Sequence, residues 1–150
     1  MKNGFSQEER QRWMGVLAAA PLEELEAAWE RLDARPDYDF LRKPETGMVM
    51  VRAKADGNGL PFNFGEIPVT RCTVRIAGGP SGCAYVKGTV LRHAELAAVM
   101  DALLQDAGTR ETVHEKAIAP LERSRKERKR KAAAKTDATK VDFFTMVRGE

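Results

Sequence analysis

The sequence predicts an α+β fold: two N-terminal helices, an antiparallel sheet of about four strands, a core helix and an extended or helical C-terminal arm. Three observations carry that prediction. Residues 69–77 alternate with period two, so Val69, Arg71, Thr73, Arg75 and Ala77 share one face and Thr70, Cys72, Val74 and Ile76 the other. Gly78-Gly79-Pro80-Ser81-Gly82 then breaks the pattern and can reverse the chain, and residues 83–87 return as a second strand. Beyond Gly88-Thr89, with Thr89 placed as an N-cap, Ala97, Met100, Leu103, Leu104 and Ala107 mark an apolar stripe at helical spacing. This ββα unit is the expected core.

The other elements follow in order. Ser6-Gln7-Glu8-Glu9 is a capping box that starts a first helix with Trp13, Val16, Leu17 and Ala20 on one face. Pro21 ends it and opens a second, striped by Leu22, Leu25, Trp29 and Leu32. The two tryptophans read as core or interface anchors. Tyr38, Phe40 and Leu41 begin an extended segment, Pro44-Glu45-Thr46-Gly47 reads as a turn, and residues 48–55 alternate again. There Val49, Val51, Ala53 and Ala55 face one way and Met48, Met50, Arg52 and Lys54 the other. Asp56-Gly57-Asn58-Gly59 is a hairpin signal. Leu60, Phe62 and Phe64 form the apolar side of the next strand, which Pro61 and Pro68 predict to be short or at an edge. Gly108 is the expected C-cap of the core helix. Residues 112–121 continue helically up to a limit or kink at Pro120, and 122–135 are strong helix formers without an apolar stripe. The predicted organisation is a core domain over 1–121 and an arm over 122–150.

Composition bounds the function. A chain of 150 residues suffices for one domain with a real core. Its longest apolar run, residues 13–22, is too short to cross a bilayer. Glu8, Glu9 and the helical spacing of that run argue against a secretory signal, so a cytoplasmic location is expected. Cys72 and Cys83 fall on adjacent strands, where a disulfide is conceivable, but the absence of a secretory signal favours reduced thiols packed as small apolar residues. With His93 and His114 they make no CxxC or HxxxH spacing, so no metal site is expected. Charge is uneven: residues 122–140 hold nine Lys/Arg against three acids, leaving 16 basic and 19 acidic residues elsewhere of the totals 25 and 22.

No catalytic triad or paired-carboxylate site can be drawn, so no catalytic residue is assigned. Arg71 and Arg75 lie four apart on one strand face, with Thr73 between them, and can clamp a polyphosphate or belong to a solvated sheet face. His93 is either a phosphate contact or a hydrogen-bonded histidine on the face of Ala97 and Met100. The glycine clusters 56–59 and 78–82 lack the GxxxxGK[ST] and GxGxxG spacings and fit ordinary hairpins. The basic segment 123–131 raises the alternative of a free-standing phosphate- or nucleic-acid-binding module, but it lacks interleaved aromatics. The last residues, Val141, Asp142, Phe143, Phe144, Thr145, Met146, Val147 and Arg148, gather large apolar side chains behind a polar arm and need a partner surface or the chain's own domain to bury them.

Several segments also match a known family in order: ETG at 45–47, DGNGLPFNFGE at 56–66, VTRCTVRI at 69–76, YVKG at 85–88, HAE at 93–95 with DALL at 101–104, IAPL at 118–121 and, most specific, VDFFTMVRGE at 141–150. Over essentially its whole length the chain resembles the PhnG subunit family of the bacterial carbon–phosphorus lyase system. The run RSRKERKRKAAAK at 123–135 is a local elaboration on that pattern. The resemblance implies work with H, I and L companions in displacing adenine from ATP by a phosphonate such as methylphosphonate. It also implies an intertwined core with H, I and J, with L only transiently bound. It implies MgATP as a substrate of the complex and no cofactor bound by this chain alone, with neither membrane nor nucleic acid as a partner. On this reading Arg71, Arg75, His93 and Arg148 are candidate substrate-phosphate contacts, and 141–148 is the partner-binding tail.

Overall fold

The computed structural model describes residues 4–33, 35–54 and 59–148, with side chains described as far as Asp137. Helix α1, Gln7–Ala19, starts at the expected capping box. The Ser6 hydroxyl accepts from the Glu9 N–H at 3.1 Å, and the Ser6 N–H donates to the Glu9 carboxylate at 2.7 Å. Helix α2, Leu22–Glu30, follows Pro21 directly. Trp13, Val16, Leu17, Leu25, Ala28 and Trp29 are buried, so both tryptophans belong to the core.

The sheet has three antiparallel strands in the order β1-β2-β3, with β1 Tyr38–Lys54, β2 Pro61–Ile76 and β3 Ser81–Lys87. About four strands were expected because Pro44–Gly47 reads as a turn. Instead the chain runs straight through. The register passes from Phe40↔Val74 to Arg42↔Thr73 and then to Glu45↔Arg71, so β1 takes up an extra residue at each of two bulges. A bulge leaves one residue outside the ladder, which is where a proline without an N–H is tolerated.

β2 is neither short nor at an edge; it is the central strand. Pro61 is its first residue. The Pro68 carbonyl accepts from the Gly88 N–H at 2.9 Å. The N and O of one strand residue face the same side. The donor that Pro68 lacks therefore points past the end of β3, whose pairing with β2 begins at Val69↔Lys87.

Helix α3, Leu91–Gln105, lies across the inner sheet face and is buried on every side from Leu96 to Leu104. Against it the sheet sets Thr70, Cys72, Val74 and Ile76 from β2 and Ala84 and Val86 from β3, the face the alternation predicts. Gly82 permits the closest approach: a Cβ there would overlap the Ala98 carbonyl oxygen and the Ala102 nitrogen. The turn glycine proper is Gly78, at φ +68°.

The ends of α3 differ from expectation. Its N-cap is Val90, with no side-chain cap, rather than Thr89. Its C-cap is Asp106, not Gly108, and Ala107 is exposed beyond the helix. Side chains replace the glycine cap. Thr109 Oγ donates to the Leu103 carbonyl at 2.6 Å, and the Arg110 guanidinium donates to Leu104 and Gln105 carbonyls at 2.7 and 3.0 Å. Helix α4, Arg110–Val113, then opens into one π turn, His114–Ile118, in which the Ala119 N–H reaches back five residues to the His114 carbonyl. Pro120 follows as the second residue of α5, Ala119–Arg148, so the widened turn absorbs the expected kink.

Asp101, fully buried in α3, joins these layers. Its carboxylate accepts from Arg10 Nη2 at 2.9 Å, Trp13 Nε1 at 2.8 Å, the Cys83 N–H at 3.0 Å and Gln105 Nε2 at 3.1 Å. Gln105 Nε2 also donates to the Ser81 carbonyl at 2.8 Å. The outer edge of β3 is thereby covered in its first half by side chains of α3. Removing one partner of a buried charge pair costs about 3–5 kcal/mol. Asp101→Ala is therefore expected to lower stability by about that much in urea unfolding, with Asp101→Asn losing less because it keeps the shape and one acceptor.

Candidate functional site

The outer sheet face carries no helix. Arg71 and Arg75 project onto it from β2 on either side of Thr73, both exposed, as the sequence places them. Arg71 is held by Glu45 across the strand pair, Nε at 2.8 Å and Nη2 at 2.7 Å from the same carboxylate oxygen, and Arg42 approaches that oxygen at 3.6 Å. Tyr85, opposite Arg71 in the β2–β3 register, is exposed beside it. The face thus presents cations, the carboxylates of Glu45 and of Asp39, which stands opposite Arg75, and an aromatic ring.

Beyond β3 the sheet narrows to a two-stranded ribbon, β1 from Met48 to Lys54 against β2 from Pro61 to Pro68. The register sets Met48 opposite Pro68, Val49 opposite Ile67 and Ala53 opposite Phe62. Met48 and Met50 extend the inner face and Val49, Val51 and Ala53 the outer one. None of these residues enters the hydrophobic core. Met48 is 59% exposed, Phe64 74% and Leu60 89%, so the apolar side expected of Leu60, Phe62 and Phe64 meets solvent. The hairpin tip, 55–58, lies outside the described residues.

His93 is not on either surface. It is half-buried between α3 and α1, its Nε2 2.9 Å from the Leu17 carbonyl, the placement of a structural histidine. The arrangement therefore puts Arg71 and Arg75 on one sheet face, about 13 Å apart along the strand, and sets His93 apart from them. Val141, Asp142, Phe143, Phe144, Thr145, Met146, Val147 and Arg148 continue the backbone of α5, and their side chains lie outside the described residues. In the basic segment Arg128 Nη1 bonds Glu24 at 2.9 Å and Arg130 Nη2 bonds Glu127 at 2.6 Å, so part of its charge is internally paired.

Two polar groups escaped the reading of the sequence. Tyr38 hydrogen-bonds Glu95, which also faces Arg92 at 3.4 Å, and Arg92 in turn pairs with Glu26 at 2.9 Å. Burial, then the Glu95 carboxylate, pushes the Tyr38 hydroxyl up to about 12. A cleft of about 610 Å³ between α1 and α4 gathers Arg12, Arg110, His114, Glu111 and Glu115. Its cations are engaged: Arg12 pairs with Glu122 at 2.7 Å, and Arg110 caps α3 while lying 4.9 Å over the Phe5 ring. The cleft lining offers no nucleophile–base pair.

The comparisons with known proteins decide the family. The family model described as "Phosphonate metabolism protein PhnG" matches residues 8–149. The chain belongs to the PhnG family. Among its curated relatives is a protein of Rhizobium meliloti (strain 1021), named as the PhnG subunit of alpha-D-ribose 1-methylphosphonate 5-triphosphate synthase. The two are 47% identical over 145 residues, which cover 95% of this chain and 90% of the relative. The segments quoted above for the family map onto working parts of the fold. VTRCTVRI is the core half of β2, DALL contains Asp101, and GLPFNFGE at 59–66 builds one side of the ribbon.

The cysteines carry a testable consequence. Both are free, Cys72 turned to the inner face opposite Ala84 and Cys83 one position out of phase opposite Thr73. Burial, then the Glu95 charge, pushes the Cys72 thiol up to about 11 from its ordinary 9.0. The folded state therefore favours the neutral thiol. Its contribution is whole below pH 9 and is lost as pH rises toward 11. Urea midpoints are expected to fall across that window by a loss on the order of 1–2 kcal/mol, and the slope should flatten in Cys72→Ala.

Proposed function

We propose that the chain is a structural subunit of a ribose-triphosphate phosphonate synthase within the carbon–phosphorus lyase core. The observation that carries this reading is the 47% identity, over nearly the whole chain, to a protein named as a subunit of that synthase. The fold supports it: one sealed core on the inner sheet face, beside an outer face and a ribbon with exposed apolar side chains. Its companions on this reading are the H, I and J subunits, with L bound transiently, and MgATP is a substrate of the whole complex.

In the reaction a phosphonate oxygen attacks the C1′ carbon of ATP. The C1′–N9 bond breaks, and adenine leaves with the electron pair and takes a proton. An anionic nucleophile must be held beside a triphosphate, so preorganised cations supply much of the catalysis. Arg71 and Arg75 on the open face, with Arg148 in the tail, are the side chains of this chain proposed to contribute at a subunit interface. Glu45 holds Arg71 ready, and an incoming phosphate would compete with it for the guanidinium. Tail residues 141–148 are proposed to dock on a partner.

Two measurements test these assignments. In cells co-expressing the H, I and J companions, the full chain is expected to capture them and a chain ending at Lys140 to lose them; equal capture would return the tail to its own domain. In the reconstituted complex Arg71→Ala, Arg75→Ala and Arg148→Ala are each expected to slow adenine release about tenfold or more with assembly intact. Full activity in all three would remove the arginines from the reaction.

A further inference from the structure

The two outer edges of the sheet differ. That of β3 is covered in its first half by Asp101 and Gln105, which bond the Cys83 N–H and the Ser81 carbonyl. Among the described residues β1 pairs with β2 alone, so its other edge is open along the ribbon. Near the core this edge carries Arg42, Lys43 and Pro44, the residue types that protect edges. From Thr46 to Val51 it has neither charge nor proline, and five of those six residues are exposed. Such a stretch is a template for strand addition.

The faces of the ribbon narrow the choice of occupant. An isolated two-stranded hairpin is marginal in water and needs a third strand or a packed face. Here both faces carry apolar side chains, Met48, Met50 and Pro68 on one, beside Glu66, Arg52 and Lys54, and Val49, Val51, Ala53, Ile67 and Phe62 on the other. Pairing with the β1 edge of a second copy would satisfy backbone groups in the plane of the sheet but leave both faces bare. The occupant must supply an extended backbone along β1 and apolar walls above and below. We propose that the ribbon is an insertion arm. It enters a two-walled apolar cleft of a different subunit, which adds an extended strand antiparallel or parallel to β1 between Thr46 and Lys54. This rests on the assembly reading given above and specifies the surface used. The cations Arg52 and Lys54 near the far end fit an acidic rim on that cleft.

Hydrogen-exchange mass spectrometry of the full chain, alone and in the complex reconstituted with H, I and J companions, tests the proposal. The β1 amides between 46 and 54 are expected to exchange fast in the free chain. In the complex they should slow at least tenfold, while α3 amides change little. Two variants read the two faces: Met48→Lys with Met50→Lys, and Val49→Lys with Val51→Lys. Each is expected to reduce companion capture at least tenfold without shifting the thermal midpoint of the isolated chain, because none of these side chains enters its core. Protection of 46–54 in a dimeric free chain would assign the edge to a second copy and overturn the proposal. A complex that forms with those amides still exchanging fast would overturn it too, while leaving the assembly reading intact. Failure of the wild-type chain to enter any complex would remove the assembly reading and the insertion arm with it.

Discussion

The buried carboxylate of Asp101 is the constraint around which the fold is arranged. A charge with no solvent contact is stable only when its lone pairs are filled, and here the donors come from α1, from β3 and from the next turn of α3. Those bonds are directional, so they fix the rotation of α3 and the position of α1 at once. Apolar packing alone would specify either far less sharply. Asp101 also holds Arg10 more firmly protonated than an exposed arginine. Gly82, next to Cys83, lets the helix backbone come close enough for these bonds to form.

That arrangement divides the sheet into two unlike halves. Where β2 is flanked on both sides, its inner residues meet α3 and are sealed. Where β3 ends, the same strand continues with β1 as its one neighbour, and the helix layer does not follow it. Pro68 marks the boundary, because its missing donor is harmless only where no third strand arrives. The half-covered edge at β3 and the open edge at β1 thus follow from the same few residues. One half of the sheet is sealed in the core of the domain, and the other stands outside that core with its side chains exposed.

Much of the core was legible in the sequence. Period two over 69–76 named the buried face of β2 correctly, and the capping box at Ser6 and the stripes of Trp13 to Ala20 and Leu25 to Leu32 named the helical contacts. The failures have physical causes. Pro44–Gly47 reads as a turn locally, but cross-strand pairing on both sides of it outweighed turn propensity and left bulges. Gly82 reads as a turn glycine, whereas its smallness serves a helix that sequence spacing could not locate. Gly108 lost its capping role to a tertiary solution involving Thr109 and Arg110, and at the other end the helix begins after Val90 with no side-chain cap, so Thr89 caps nothing. Asp101 carried no signal beyond an acid inside an apolar stripe. The ribbon did carry one: Met48-Val49-Met50-Val51 is apolar in both phases, which a strand with one solvated face does not require.

The arm beyond the core also has a mechanical meaning. α5 is tied to the domain through Glu122, Ser124 and Arg128, while Lys129–Asp137 stand exposed and the backbone remains helical to Arg148. From Arg128 to Val141 is about 20 Å at 1.5 Å per residue. A flexible tether of the same length would spread the terminal segment through a volume, diluting it near any second contact. A helical rod confines it to a narrow shell at nearly fixed distance. If the proposed contacts through the sheet and through the terminus both form, they become two linked events whose joint strength depends on rod length, and the charged segment would then act as a ruler more than as an adhesive.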